Sequence, residues 1–470
     1  MTLSIKSIGG TINEVPKVTD LKVVAYEADS ITIEYKIEDI ELTICRQYLS
    51  LNSAKRIEIT KAVGYESETN TFRYSIKDLK PSTSYTIEII AGDGHDEGTC
   101  TLQQSTREAY VYGVRVMENN SNPTTSVTYI EHATGVSPAT PTSLGGWADK
   151  YPFNKIRMVG FKGGSVTKEI NPTNKTSYLD GTSVPSDVDV MIEIPKFYWK
   201  TETITNGFEL KICKMKLDSS WDCPAHNVNS IEKDNIYIGA YKGYVQGGKL
   251  RSRSGVTPNT GGGIGDIRKY AHAVGKGYQA SNWYTWKIEQ ILYLIAYKSL
   301  DCQTSLGLGY TQGGASLKTG GTNKKGMIYG SSNGQEQICF LGIEDLWGNV
   351  SEIIDGLRVH NDKIEIVEND TDFTNYKGKI SNMRIATGSG YIRKVSHDKN
   401  GLFLPLNLSG SQTTFYTDHC IRNQHDYGSD NVWIGGNYSS GQVAGIFFFR
   451  NFLQTLDEER RRGMRLCYLG

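Results

Sequence analysis

Hydrophobic and polar positions change period along this chain, and the changes divide it. From Val18 onward apolar and polar residues alternate, first in Leu21-Lys22-Val23-Val24-Ala25-Tyr26 and then in Ile31-Thr32-Ile33-Glu34-Tyr35. A period of two puts successive side chains on opposite faces, so these stretches predict half-buried strands. Turn-forming residues separate them at Glu27-Ala28-Asp29-Ser30 and again at Asn52-Ser53. A second strand-rich region opens at Tyr110-Val111-Tyr112-Gly113-Val114-Arg115. Within it Val188, Val190, Ile192 and Ile194 share one face, while Asp187, Asp189 and Glu193 share the other, which reads as a solvated stripe.

The period then becomes helical. Ile288, Ile291, Leu292 and Ile295 stand at i, i+3, i+4 and i+7 and predict a helix after Ser281-Asn282. A shorter helical pattern, Ile267-Arg268-Lys269-Tyr270-Ala271-His272-Ala273, ends at Gly275. The expected organisation is a polar, glycine-punctuated arm over 1–15 and an all-β module over 16–107. A β-rich first part of a head follows over 108–260, and an α+β domain over 261–470.

Composition narrows the function classes. Lys+Arg and Asp+Glu each total 51 in 470 residues, so no basic field invites nucleic acid. No apolar run approaches the roughly 18 residues of a membrane helix. Met1-Thr2-Leu3-Ser4-Ile5-Lys6 lacks a basic start followed by an apolar stretch, so synthesis in a cytoplasm is expected. The 8 cysteines are scattered singly, without CxxC or zinc spacing, and are expected to be reduced. The 50 glycines and 28 tyrosines suit a turn-rich β protein with adaptable aromatic surfaces.

Two resemblances sharpen this. Leu79-Lys80-Pro81-Ser82-Thr83-Ser84-Tyr85-Thr86-Ile87-Glu88-Ile89-Ile90-Ala91 resembles the fibronectin type III signature, a leucine–proline turn feeding a strand with a buried tyrosine. It implies a small antiparallel sandwich over about residues 16–107, used as a spacer or docking module. Further on, Gly342-Ile343-Glu344-Asp345-Leu346-Trp347-Gly348-Asn349-Val350-Ser351-Glu352 comes first, then Trp433-Ile434-Gly435-Gly436-Asn437-Tyr438, and Arg462-Gly463-Met464-Arg465-Leu466 last. In that order they resemble the C-type-lectin-like fold of the formylglycine-generating-enzyme superfamily, closest to its branch in bacteriophage tail proteins. The strings Met191–Tyr198, Ile236–Gly243 and Leu250–Pro258 are similar to ones common in phage minor tail proteins, so this resemblance spans about residues 108–470.

The resemblance implies a virion tail or baseplate adhesin for a bacterial surface glycan or protein receptor. Its N-terminal region would hold other tail or baseplate proteins, and the chain would form a homotrimer. A purely structural virion subunit is the rival reading. In the family the tryptophan of the Trp347-Gly348-Asn349 block fills the core, and Arg465 clamps backbone carbonyls. The ligand-facing surface implied by the relatives is the segment from Phe415, with Tyr416, His419, Arg422, Asn423, His425, Tyr427, Trp433 and Tyr438 as binding residues. Aromatic planes cover the C–H patches of a pyranose, and amide or charged groups read its hydroxyls. No catalysis is expected: the superfamily's oxidases use a close pair of late cysteines, whereas Cys420 and Cys467 stand far apart, and no glycosidase carboxylate pair, P-loop, GxSxG or HExxH occurs. No cofactor is expected either. Calcium would draw on Asp426 and Asp430, but six to eight oxygens are needed and no family-type ligand run accompanies them.

Overall fold

The computed structural model describes residues 15–38, 46–59, 71–92, 96–360, 363–369, 373, 379–422, 432–451 and 460–470. The chain forms two compact units, Met1–Tyr110 and Val111–Gly470.

Among its described residues the first unit has seven strands: β1 (Lys17–Tyr26), β2 (Ile31–Glu38), β3 (Arg46–Leu51), β4 (Ile57–Glu58), β5 (Thr71–Ile76), β6 (Ser84–Gly92) and β7 (Glu97–Ser105). They make two antiparallel sheets, β1-β2-β5 and β4-β3-β6-β7. The alternation read from the sequence sets the core. Ile31, Ile33, Tyr35 and Ile37 of β2 are buried with Leu49 of β3 and Ile87 and Ile89 of β6. Each such side chain contributes about 1.5–3 kcal/mol relative to exposure. The Tyr85 hydroxyl accepts a hydrogen bond from the Lys80 N–H at 2.8 Å, the corner contact of immunoglobulin- and fibronectin-like sandwiches. Tyr85 itself is half-buried rather than buried.

Among the described residues of the second unit strand exceeds helix, and its longer helices are α1 (Ile264–His272) and α2 (Trp283–Tyr297). One antiparallel six-stranded sheet runs Ser165–Glu169, Arg157–Lys162, Asp189–Pro195, Asn235–Gly239, Leu466–Tyr468, Tyr278–Ala280. No boundary falls at residue 260, because this sheet joins strands from either side of it. A second, mixed sheet runs Gly388–Tyr391, His419–Arg422, Gly445–Asn451, Val432–Gly435, Ser351–Ile354, Arg462–Gly463.

Two elements differ from their sequence patterns. The Asp187, Asp189, Glu193 stripe is not a solvated face: every residue of Asp189–Pro195 is buried. The strand lies inside the sheet, and Met191 packs in an apolar cluster with Phe161 and Leu466. Asp189 is covered by Arg251, whose Nε donates at 2.9 and 3.0 Å, and Glu193 by Arg157 at 2.9 and 3.2 Å. Only Asp187 is exposed. Helix α2 starts where expected, with the Asn282 side chain accepting from the N–H groups of Tyr284 and Thr285 at 3.0 Å each. It is buried on every side rather than along one stripe, charged Lys287 and Glu289 included.

Removing the corner hydroxyl by Tyr85→Phe is expected to lower the stability of the first unit by about 1 kcal/mol, read as an earlier urea midpoint with unchanged slope.

Candidate functional site

The expected recognition segment is divided between core and surface. Tyr416 is fully buried, with its ring edge-on to Phe447 at 5.0 Å. Burial pushes its hydroxyl well above the usual tyrosine range. Arg422 is 2 % exposed and donates to the Ile385 carbonyl at 3.4 Å. Trp433, also 2 % exposed, has the guanidinium groups of Arg450 and Arg462 each 5.1 Å from its ring centre. These three are therefore packing residues and not part of an exposed face. The reason is topological: His419–Arg422 and Val432–Gly435 are interior strands of the mixed sheet, with a neighbour on both sides.

His419 and Tyr438 stay half-exposed. The His419 ring meets Tyr391 edge-on at 4.9 Å, and burial lowers its pKa. Tyr438 lies beside the Arg461 guanidinium at 5.8 Å, and its carbonyl accepts from the Gly313 N–H at 2.6 Å. Asn423, His425 and Tyr427 lie outside the described residues, as do Asp426 and Asp430. Among the described residues no group of three or more His, Cys, Asp or Glu is arranged to hold a metal ion.

The first and last of the three C-terminal blocks, with Lys242 and Ser281, build a buried charge cluster. The loop from Asp345 to Val350 turns sharply, with positive φ at Asp345, Gly348 and Asn349. At Gly348 (φ 82°) a Cβ would come 2.8 Å from the Tyr310 carbonyl, so only glycine fits. Trp347 is buried and donates to the Gly307 carbonyl at 3.1 Å. Asn349 accepts from the Leu317 N–H at 2.9 Å and donates to its carbonyl at 3.2 Å and to Asp345 at 2.8 Å.

Glu352, at the end of that block, receives Lys242 Nζ at 2.7 Å, Arg465 Nε at 2.8 Å and Ser281 Oγ at 3.2 Å. Arg465 is 0 % exposed and donates onward to the carbonyls of Gly239 (2.9 Å), Glu344 (2.9 Å) and Asp345 (3.3 Å). The Arg465 and Lys242 charges hold the Glu352 carboxyl well below its usual range in spite of burial. Glu289 and Asp345, also buried, are pushed upward by desolvation and by neighbouring carboxylates. Two cations thus serve several carboxyls, and protonation absorbs the excess negative charge. The cluster has no surface exposure, so its chemistry is structural: it ties the strand at Leu466–Tyr468 to the Trp347 loop.

Sequence reasoning anticipated Arg465 and missed its partners. The available signal was charge inside an apolar run: Lys287 and Glu289 interrupt a helix whose neighbours are nearly all hydrophobic. Lys287 is held by the carbonyls of Lys399 (3.1 Å) and Asn400 (2.6 Å) and by the Trp283 ring at 4.7 Å, and burial brings its ammonium down to about 7.

No protein-family model matches the chain, and no curated protein matches it. Among solved structures, the I-band fragment I67-I69 from titin aligns at 11 % identity with a TM-score of 0.16, covering 48 % of this chain and 93 % of that one. The E-to-A mutated variant of the same three titin domains aligns at 11 % identity and a TM-score of 0.15, covering 47 % and 92 %. Scores this low carry no argument about fold or function.

Trp433→Ala is expected to cost about 3–5 kcal/mol of stability, as a core truncation, visible as a lowered melting temperature. Glu289 supplies a pH signature. Its folded pKa lies above the ordinary 4.5, so the folded state binds more protons and stability falls as pH rises from 4.5 towards about 8. Glu289→Gln should therefore raise the melting temperature at pH 8 and leave it unchanged near pH 4; equal effects at both would contradict the buried, protonated carboxyl.

Proposed function

We propose that this chain is a tail or baseplate protein of a phage, or of a phage-like contractile particle, that recognises a bacterial surface receptor without chemical turnover. The first unit serves as spacer or attachment module, and the second as a C-type-lectin-like head. The observation that carries this reading is the convergence of the three C-terminal blocks. Segments distant in the chain are brought together: Arg465 meets Glu352, 113 residues away, at 2.8 Å, and the Tyr438 N–H meets the Asn349 carbonyl at 2.8 Å. Such convergence is what a lectin-like architecture requires. In a tail tip this head would be repeated by closed cyclic symmetry, as a homotrimer.

A structural baseplate subunit is the second reading, and the burial of Tyr416, Arg422 and Trp433 favours it, because these anchors hold the fold and leave less aromatic surface for a receptor. The two separate experimentally. Labelled full-length protein should bind host cells, and Tyr438→Ala should weaken binding about thirty-fold, the roughly 2 kcal/mol of a lost aromatic hot spot, without moving the melting temperature. Immunogold labelling should place the protein at the distal tip of the tail. Absence of cell binding together with a position inside the tail wall would replace the adhesin by the structural subunit.

A further inference from the structure

Among the described residues three lysines of the second unit are buried, and one of them is served unlike the others. Lys242 has the Glu352 carboxylate at 2.7 Å, and Lys287 has the carbonyls of Lys399 and Asn400. Lys175, 1 % exposed, has neither. Its Nζ donates to the Cys339 sulfur at 3.0 Å and to the Thr322 hydroxyl at 3.2 Å. Among the described residues the amine makes no ion pair with a carboxylate. Taking an ammonium out of water is costly, and the cost is ordinarily offset by a carboxylate or by several carbonyls. A sulfur is a weak acceptor and a poor substitute.

Both reacting atoms are held from behind. The Lys175 N–H donates to the Asn323 carbonyl at 3.1 Å. Cys339, a free thiol, exchanges backbone hydrogen bonds with Tyr329 at 2.7 and 2.8 Å, and its Sγ donates to the Met327 carbonyl at 3.5 Å. The Thr322 hydroxyl donates to Glu344 at 2.7 Å, so a proton leaving the ammonium has a path to a carboxylate. An amine and a thiol fixed at contact distance need little further ordering to react. One oxygen atom bonded to both spans slightly less than the present 3.0 Å, whereas a direct S–N bond would have to pull them far closer. Such a bridge leaves its neighbours satisfied. The nitrogen keeps one hydrogen for Thr322, and the Met327 carbonyl keeps the Gly342 N–H at 2.8 Å.

We propose that Lys175 and Cys339 form a reversible N–O–S cross-link with hydrogen peroxide as oxidant, a redox-controlled covalent tie within the second unit. Peroxide is small and uncharged and reaches the pair by local opening. The ammonium first passes a proton through Thr322 to Glu344. One peroxide then gives an oxygen to the thiol, its O–O bond breaking, and leaves a sulfenic acid and one water. A second peroxide takes two electrons and two protons, one from the amine and one from the sulfenic O–H, as the N–O bond forms, and departs as two waters. Nitrogen and sulfur each lose two electrons, and the two peroxides gain the four. Two dithiothreitol molecules return those four electrons and restore the amine, the thiol and one water. A reducing compartment therefore keeps the pair open and an oxidising one closes it. The cross-link does not depend on the adhesin reading.

The test is peptide mass spectrometry on the full chain after peroxide treatment and trypsin digestion. Peptides 169–196 and 326–358 should appear joined, because bridged Lys175 is no longer cleaved. Their joint mass should exceed the sum of the two by about 14 Da, one oxygen gained and two hydrogens lost. Dithiothreitol should separate them. The bridged chain should melt a few degrees higher, since the link ties residues 164 apart. Lys175→Gln and Cys339→Ser should each abolish the joined peptides, and Cys339→Ser, nearly equal in size, should remove the peroxide-dependent rise in melting. Half-buried Cys100 reports that oxidant was delivered. Oxidised Cys100 without joined peptides, or Cys339 recovered as sulfinic or sulfonic acid, would overturn the proposal. So would joined peptides that survive dithiothreitol, the mark of the isomeric sulfinamide, or a bridge that leaves the melting temperature unchanged.

Discussion

The second unit depends on the buried Arg465–Glu352–Lys242 ion cluster. Placing charge where water cannot reach costs several kcal/mol per ion, and it is recovered only when geometry and hydrogen bonding are complete. Here they are: Glu352 takes two cations and a hydroxyl, and Arg465 spends its remaining donors on three backbone carbonyls. Those carbonyls belong to the strand at Asn235–Gly239 and to the Glu344–Asp345 turn, so one guanidinium fixes two otherwise separate pieces of backbone. An apolar side chain of the same volume would fill the space but would not specify which strand lies beside which turn.

The same logic accounts for the surrounding residues. Glu344 takes the N–H groups of Gly320 (2.7 Å) and Thr322 (2.8 Å), and Asn349 spans the backbone of Leu317, so long irregular loops become as well determined as strands. Loops secured in this manner lose little further entropy when a partner binds them.

How much of this was legible follows from what each pattern reports. Alternation at Ile31-Thr32-Ile33-Glu34-Tyr35 reports one buried face, and the sandwich has one, so strand and core were both readable. The Asn282 cap was readable because it is local. The Asp189 and Glu193 stripe misled because sequence shows the polarity of a side chain but not whether an arginine 36 or 62 residues away will cover it. Trp433 and Tyr416 misled for a related reason: an aromatic among polar neighbours looks alike at an exposed tip, on an interior strand as at Trp433, and in a buried turn as at Tyr416. Strand order across that sheet, with parallel pairings between distant segments, leaves no mark in any window of the chain.

The strand at Leu466–Tyr468 is inserted between Asn235–Gly239 and Tyr278–Ala280, and Arg465 reaches Gly239 across 226 residues of chain. On a ribosome this imposes an order of events. The described strands of the first unit end at Ser105, so it can close while synthesis continues. The second must wait, with a gap in its sheet and the Glu352–Lys242 pair lacking its Arg465, until residues 465–468 have emerged. Long-range closure of this kind is slow, and until it happens the unpaired edges at 235–239 and 278–280 are open to other strands. Until residue 465 has been made, the first unit can be sound while the second cannot be completed.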